Sequence, residues 1–106
     1  MADELYVIEG PGAVREGEIL NYAVVWSGAQ TVSSGVTSAY RNGTDVSATV
    51  LSGSDTITGQ TQVLKVLTVP AGYGGSRIVL EVLAVVDGNT VKVGRTLKVL
   101  KVGEEG

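Results

Sequence analysis

The chain has 106 residues, a hydrophobic fraction of 43%, a formal net charge of −3, and neither His nor Cys. Without His and Cys it lacks the commonest general base, the thiol nucleophile and the commonest zinc ligands. The acidic balance disfavours nucleic-acid binding, which usually needs a basic face, and the apolar content and length indicate one folded domain rather than a disordered chain.

The N-terminal sequence Met-Ala-Asp-Glu is acidic and leads into only a short apolar run, so it does not predict a signal peptide. No stretch approaches the ~20 apolar residues of a membrane span. The absence of Cys is consistent with a reducing compartment. We therefore expect synthesis in the cytoplasm and no membrane partner, although a domain excised from a secreted protein would have the same features.

Apolar residues alternate with a period of two, and Gly, Ser, Thr, Asn and Asp interrupt them about every ten residues, as in an all-β sandwich. The first predicted strand lies in residues 4–10. The clearest strand lies in residues 17–28, where two side-chain sets alternate. The bulkier set is predicted to face the core: Leu20, Tyr22, Val24 and Trp26. The other set is Ile19, Asn21, Ala23 and Val25.

Two hairpins are predicted farther along the chain. The first turns at Asn42-Gly43, because both residues tolerate the positive φ of a type I′ turn, and its second strand covers residues 46–50. After a short strand, a Gly59 turn and a longer strand, the second hairpin turns at residues 87–89. Gly94 predicts a bulge or bend in the last strand.

The prediction is therefore a single antiparallel β-sandwich of about seven strands in residues 1–103, with a polar tail in 104–106. Acidic residues concentrate early in the chain and basic residues late, which predicts that the first and last strands lie side by side. These residues are Asp3, Glu4, Glu9, Glu16 and Glu18, and Lys92, Arg95, Lys98 and Lys101. The lysines are expected to protect a strand edge against unwanted pairing, in preference to forming a basic docking stripe.

The segment from residue 77 to 86 is apolar on both faces. If Ile78, Leu80, Val82, Ala84 and Val86 point inward, then Val79, Leu83 and Val85 point outward. The last strand behaves similarly at Val99, Leu100 and Val102. Because a solvent-facing antiparallel sheet normally alternates apolar and polar residues, loops or a protein partner should cover this outer face. Val79, Leu83 and Val85 are the predicted interface.

Catalytic and metal sites are not predicted. Glu81 falls on the outer face, and Asp45, Asp55 and Asp87 lie in turns, where Asx side chains cap the backbone without a metal. Calcium would need clustered carboxylates, and a glycosidase would need two of them across a cleft. We therefore expect no enzyme activity, no cofactor and no metal. Tyr40 and Tyr73 are the aromatic residues that look available for a ligand.

The strand "LNYAVVWSG", the hairpin "VTSAYRNGTDVSATVL" and the terminal "LEVLAVVDGNTVKVGRTLKV" together resemble the immunoglobulin-like or fibronectin-III-like sandwiches of bacteria and phages. More narrowly, the chain from Val14 onward resembles short free-standing immunoglobulin-like proteins encoded beside virion genes in tailed phages. It departs from antibody domains in lacking the Cys pair, and Ser76-Arg77-Ile78 lacks the Tyr of the usual corner motif.

The resemblance implies a non-catalytic phage virion accessory, bound to the capsid surface or near the head–tail region, with a virion protein or a second copy as partner. The alternative is a carbohydrate-binding or adhesion module cut from a longer cell-surface protein. Such a module should use aromatic side chains for sugar stacking, which here would be Tyr40 and Tyr73.

Overall fold

The structure, a computed structural model, describes residues 6–101. Twelve strands and one short helix occupy this range. They are β1 (Ile8–Glu9), β2 (Ala13–Arg15), β3 (Ile19–Leu20), β4 (Ala23–Val25), β5 (Val32–Arg41), β6 (Thr44–Asp45), α1 (Ser47–Val50), β7 (Leu51–Ser52), β8 (Thr56–Thr58), β9 (Thr61–Val63), β10 (Val66–Thr68), β11 (Arg77–Val86) and β12 (Asn89–Leu100). The charges of Asp3 and Glu4, the start of the first predicted strand, Val102 and the tail 104–106 lie outside the described residues.

One layer is a five-stranded sheet in the order β2-β12-β11-β5-β6. Its long strands, β5, β11 and β12, pair antiparallel, whereas β2 runs parallel to the end of β12. The β2–β12 pair sets residues 13–15 beside the last strand, but β1, which belongs to the first predicted strand, pairs with β4 in the other layer. The prediction that the first and last strands are neighbours is therefore wrong. Charge neutralisation between the early and the late residues stays a prediction.

The other layer forms where residues 17–26 pair with residues 60–69. Short strands build two sheets, β1-β4-β9-β8 and β3-β10-β7. The Leu64 N–H donates a hydrogen bond of 2.9 Å to the Tyr22 carbonyl oxygen between them, so the sheets continue one another. We call this the interrupted layer. The interruptions explain why the confirmed all-β sandwich has twelve strands here rather than about seven.

The core lies between the layers, and the predicted core face is confirmed. Tyr22, Val24 and Trp26 are buried, and Leu20 packs against the core, while Ile19 and Val25 on the other face are exposed. Opposite them, β11 buries the five side chains predicted to point inward: Ile78, Leu80, Val82, Ala84 and Val86.

The first hairpin turns at Asn42 and Gly43, which have φ of 53° and 79°, as a type I′ turn requires. The predicted strand over residues 46–50 is wrong, however: β6 ends at Asp45 and α1 follows. The Asp45 carboxylate accepts the Ser47 N–H at 2.8 Å, and the Ser47 hydroxyl oxygen accepts the Ala39 N–H at 2.9 Å. These local bonds compete with strand pairing, and the helical turn still buries Val50.

The bulge predicted at Gly94 is also wrong. The β11–β12 register runs without a break through the Glu81–Gly94 pair. The irregularity lies instead on β5, where the pairing with β11 shifts between Leu83 and Val85. Ser34 has φ of 54° there, and a side chain at Gly35 would collide with Gln62. The bulge therefore sits where a buried side chain from the other layer approaches the β5 backbone.

Polar side chains hold the chain where it crosses from β1 in one layer to β2 in the other. The Arg95 guanidinium donates hydrogen bonds of 2.7 Å to the carbonyl oxygens of Ile8 and Gly10, and the Tyr22 hydroxyl donates to the Pro11 carbonyl at 2.6 Å. Burial raises the pKa of Tyr22, and the nearby Arg95 charge partly offsets this. The hydrogen bonds from Arg95 and Tyr22 thus fix the segment that links the two layers at one side of the sandwich.

A buried network centred on Asp55 closes the opposite side. Its carboxylate accepts hydrogen bonds from the Thr37 backbone and hydroxyl on β5 and from the Gln62 amide on β9. Gln62 in turn accepts the Trp26 indole N–H at 3.0 Å. Lys65 donates to the Thr37 carbonyl at 3.0 Å and lies 3.9 Å from Asp55. The network joins the two layers and satisfies the polar groups that it buries.

Candidate functional site

The outer face of the five-stranded sheet carries the predicted interface residues, and the register arranges it in four rows across β5, β11 and β12. From one end to the other, the rows are Tyr40–Val79–Thr96, Ser38–Glu81–Gly94, Val36–Leu83–Lys92 and Ser33–Val85–Thr90. We call these twelve residues the outer face. Val79, Leu83 and Val85 thus lie along one strand, at the centre of three of the four rows.

The outer face carries apolar side chains on β5 and β11, with Glu81 between them on β11 and with Lys92 and two threonines on β12. Val79 and Val36 are 38% and 47% exposed, and Leu83, Val85 and Tyr40 are half-buried. Cross-strand contact joins Tyr40 to Val79 and Val36 to Leu83, because directly opposed side chains are about 5 Å apart. The five side chains form two apolar groups, Tyr40 with Val79 and Val36 with Leu83 and Val85, which the row Ser38–Glu81–Gly94 separates.

The outer side of the interrupted layer differs in composition. Val7, Ile19, Val25 and Val63 are exposed there beside Ala23 and a group of threonines, Thr56, Thr58 and Thr61. Apart from Ala23, these side chains are β-branched, as strand propensity alone favours. The outer face of the five-stranded sheet has Leu and Tyr in addition, with an acidic and a basic residue among them.

The chain covers the end of β12 itself. Val99 faces the core, and Leu100, on the opposite side of the strand, is also buried. The loop at Gly74 and Gly75 lies against the backbone of Leu100 and Lys101. The two-sided apolar pattern at Val99 and Leu100 is therefore explained by the chain's own loop, whereas no described segment lies over Val79, Leu83 and Val85 to the same extent.

Tyr40 and Tyr73 occupy different environments. Tyr40 belongs to the outer face. Tyr73 lies in the loop before β11, where the Arg41 guanidinium stacks 4.2 Å from its ring centroid. Arg41 also donates to the Ser76 hydroxyl at 3.1 Å. The structure does not bring the two tyrosines together in a platform for sugar stacking.

The aspartates in turns serve the backbone or the core. Asp87 accepts the N–H groups of Gln30 and Thr31 at 2.8 Å, which ties the β11–β12 turn to the loop after β4. Hydrogen bonds from the Ser47 hydroxyl and N–H lower the pKa of Asp45. Asp55 belongs to the buried network. Among residues 6–101, no group of three or more acidic side chains could hold a metal ion.

The described residues enclose no ligand-sized cavity. No helix within them has the length and hydropathy needed to cross a membrane.

The sequence predicted which residues of β11 point outward but not which residues of β5 and β12 lie beside them. Period-two alternation places Val79, Glu81 and Leu83 on one side of β11. It cannot show that Glu81 lies between Ser38 and Gly94, because that depends on the register of two other strands. The Asp55 network was also missed, since its members are far apart in sequence.

No protein-family model, curated protein or solved structure matches this chain.

Proposed function

We propose that this protein is a non-catalytic structural module that binds a protein partner through the outer face of its five-stranded sheet. The observation that carries the proposal is the set of partly exposed apolar side chains on both sides of Glu81 on the outer face, namely Tyr40, Val79, Val36, Leu83 and Val85. Apolar patches on rigid surfaces, with charged groups among them, are typical of protein–protein contact sites.

The strand order supports an immunoglobulin-like architecture. When β3 and β4, β7 and β8, and β9 and β10 are each counted as one strand, the interrupted layer has the order β1, β3/β4, β9/β10, β7/β8. This is the A-B-E-D order of an immunoglobulin sheet. The other layer places β12 and β11 beside β5. Immunoglobulin sandwiches divide their strands between two sheets in this way, and their variable type adds a strand beyond the third, as β6 does here. Domains of this architecture commonly serve in binding and assembly, although a fold alone does not define a function.

The finer proposal is a phage virion accessory, associated with the capsid or the head–tail region. It draws on the resemblance of the strand and hairpin sequences to small immunoglobulin-like proteins of tailed phages. Neighbouring genes for capsid and tail proteins would support it. A reading frame that continues into further extracellular domains would contradict it and favour a cell-surface module.

The docking role can be tested with Leu83→Lys and, as a matched control on the interrupted layer, Val63→Lys. Both introduce one lysine at an outward-facing strand position, which is half-buried at Leu83 and exposed at Val63. We expect Leu83→Lys to reduce association, measured both as co-sedimentation with virus-sized particles from producing cells and as self-association at equilibrium. Val63→Lys should resemble the wild type. Equal behaviour of the two variants in both assays would contradict the proposal.

The carbohydrate-binding alternative has less structural support, because Tyr73 stacks on Arg41 and Tyr40 lies on the sheet. Glycan binding that is lost in Tyr73→Ala would revive it.

A further inference from the structure

The outer face is unusual in how its large and small side chains are distributed. The row Val36–Leu83–Lys92 carries three long or branched side chains, and its neighbour, Ser38–Glu81–Gly94, carries a serine and a glycine. The outer rows show a similar imbalance on β5, since Tyr40 occupies one end and Ser33 the other. On β5 and at Lys92 each large side chain therefore has a small counterpart at the mirrored position, whereas on β11 Val79 mirrors Val85 and Leu83 mirrors Glu81.

On β5 and β12 this distribution is self-complementary under one rotation. The two-fold axis lies in the plane of the interface, runs perpendicular to β11 and passes between Glu81 and Leu83, so it exchanges the two central rows and the two outer rows. Across such an interface, Val36 would face Ser38, Lys92 would face Gly94, and Tyr40 would face Ser33. On the central strand, Leu83 would face Glu81. An isologous dimer needs this kind of self-complementarity, because the same patch is used twice.

The charges agree with the same axis. Within these twelve residues the charges are those of Glu81 and Lys92, which stand on adjacent strands in neighbouring rows. Asp45, opposite Tyr40 on β6, and the pair Arg77–Lys98, in the next row, lie beside them on the same side of the sheet. Among the residues that the structure describes, neither has an ion-pair partner. The rotation would place Lys92 of one copy over Gly94 of the other, next to Glu81, and the pair would form twice. An axis parallel to β11 would instead oppose Glu81 to itself, which like charges disfavour.

We propose that the partner of the outer face is a second copy of this chain, packed face to face about the two-fold axis perpendicular to β11, with reciprocal Glu81–Lys92 pairs. This inference rests on the proposed function, that the outer face is a docking surface. Because twisted sheets cross at about 30°, the alignment is closest at the two central rows, which hold the charges.

The size of the face sets the expected affinity. Three strands about 4.8 Å apart and four outward rows about 6.8 Å apart give a flat footprint of roughly 300–400 Å². Stable dimers usually bury about 800 Å² per partner. We therefore expect a weak dimer, with a Kd in roughly the micromolar to submillimolar range.

The test is a charge exchange measured by sedimentation equilibrium from low micromolar concentrations to about 1 mM, the range in which such a dimer should dissociate. Glu81→Lys and Lys92→Glu each create two like-charged contacts, so each should raise the Kd roughly tenfold to a hundredfold. The double variant with both changes should return to within about threefold of the wild type, because the pair is restored with reversed sign. Glu9→Lys, on the interrupted layer, should leave the Kd unchanged.

Three results would overturn the proposal. A wild type that stays monomeric throughout this range removes the second copy as partner; if Leu83→Lys still lowers co-sedimentation with particles, the proposed docking role stands alone. A dimer weakened by Leu83→Lys but not by either charge reversal refutes the two-fold arrangement. A dimer that none of the outer-face changes affects refutes both proposals. Urea unfolding of each variant confirms that the changes act on association and not on the monomer.

Discussion

The two layers of this sandwich are built in different ways. The five-stranded sheet has strands of 10, 10 and 12 residues whose backbones pair almost continuously. The interrupted layer has strands of two or three residues, and it contributes Trp26, Tyr22 and Gln62 to the interior. One layer is regular and displays side chains at fixed positions, while the other depends on large side chains and buried hydrogen bonds.

Because of this difference, we expect core substitutions in the interrupted layer to change stability and outward substitutions on the five-stranded sheet to change association. Where backbone pairing is short, side-chain packing must hold the layer in place, so core changes there should be costly. Where pairing is long, outward side chains can change with little effect on folding. The following predictions test this separation, from the largest expected effect on stability to the smallest.

Trp26→Ala should lower the free energy of unfolding by about 3–5 kcal/mol, because it empties a large buried site. It also removes the ring contact with Tyr6 at 4.8 Å and leaves Gln62 without its indole donor. Urea unfolding followed by circular dichroism would measure the loss. A change below about 1 kcal/mol would be incompatible with the burial of Trp26.

Asp55→Ala should cost about 2–4 kcal/mol, since the buried donors on Thr37 and Gln62 would lose their acceptor and Lys65 its counter-charge. Asp87→Asn is the control in an exposed turn, because Asn tolerates the φ of 50° at this position and water can replace the lost charge, and we expect about 1 kcal/mol or less. Both are measured by urea unfolding. Equal losses would show that the Asp55 network does not join the layers.

Tyr22→Phe should cost about 1 kcal/mol at neutral pH, because it removes the hydrogen bond to the Pro11 carbonyl. The folded protein raises the pKa of Tyr22 above its ordinary value near 10, so the unfolded chain ionises first. The contribution of this group is complete below that value and is lost as the pH rises through the folded pKa. Wild-type stability should therefore fall above about pH 10 more steeply than that of Tyr22→Phe. Parallel curves would contradict this assignment.

Leu83→Lys and Val63→Lys should each change the free energy of unfolding by no more than about 0.5–1 kcal/mol, because both positions are on outer surfaces. If Leu83 belongs to a docking face and Val63 does not, only Leu83→Lys should change association. Loss of folding in Leu83→Lys would show that Leu83 is a core residue and would remove the basis of the proposed docking face.

The sequence predicted the fold to the extent that it depends on local pattern. Alternation identified the buried side of β11 and the core face around Trp26, and the pairs Asn42-Gly43 and Asp87-Gly88 marked both tight turns. These signals are local, because the period of a strand and the φ preference of a turn are properties of neighbouring residues.

The remainder depends on contacts between distant segments. Val46 and Val50 alternate like strand residues, yet hydrogen bonds of Asp45 and Ser47 favour a helical turn. The bulge falls near Gly35 rather than at Gly94, because Gln62 from the other layer occupies the space above it. The pairing of Glu81 with Gly94 required a register that no single strand encodes. The residues of the outer face were therefore predicted on β11 but not on β5 and β12.

The parallel pairing of β2 with β12 has a mechanical consequence. Because β2 lies near the N-terminal end of the described chain and β12 near the C-terminal end, a force that separates the ends pulls these two strands along their common axis in opposite directions. The backbone bonds between them, including Lys98 N–H to the Gly12 carbonyl at 2.9 Å, would be loaded together rather than broken one after another. Arg95 donates hydrogen bonds to the carbonyl oxygens of Ile8 and Gly10, which precede β2, and these side-chain bonds would also resist the force. The domain is thus arranged to resist stretching between its ends.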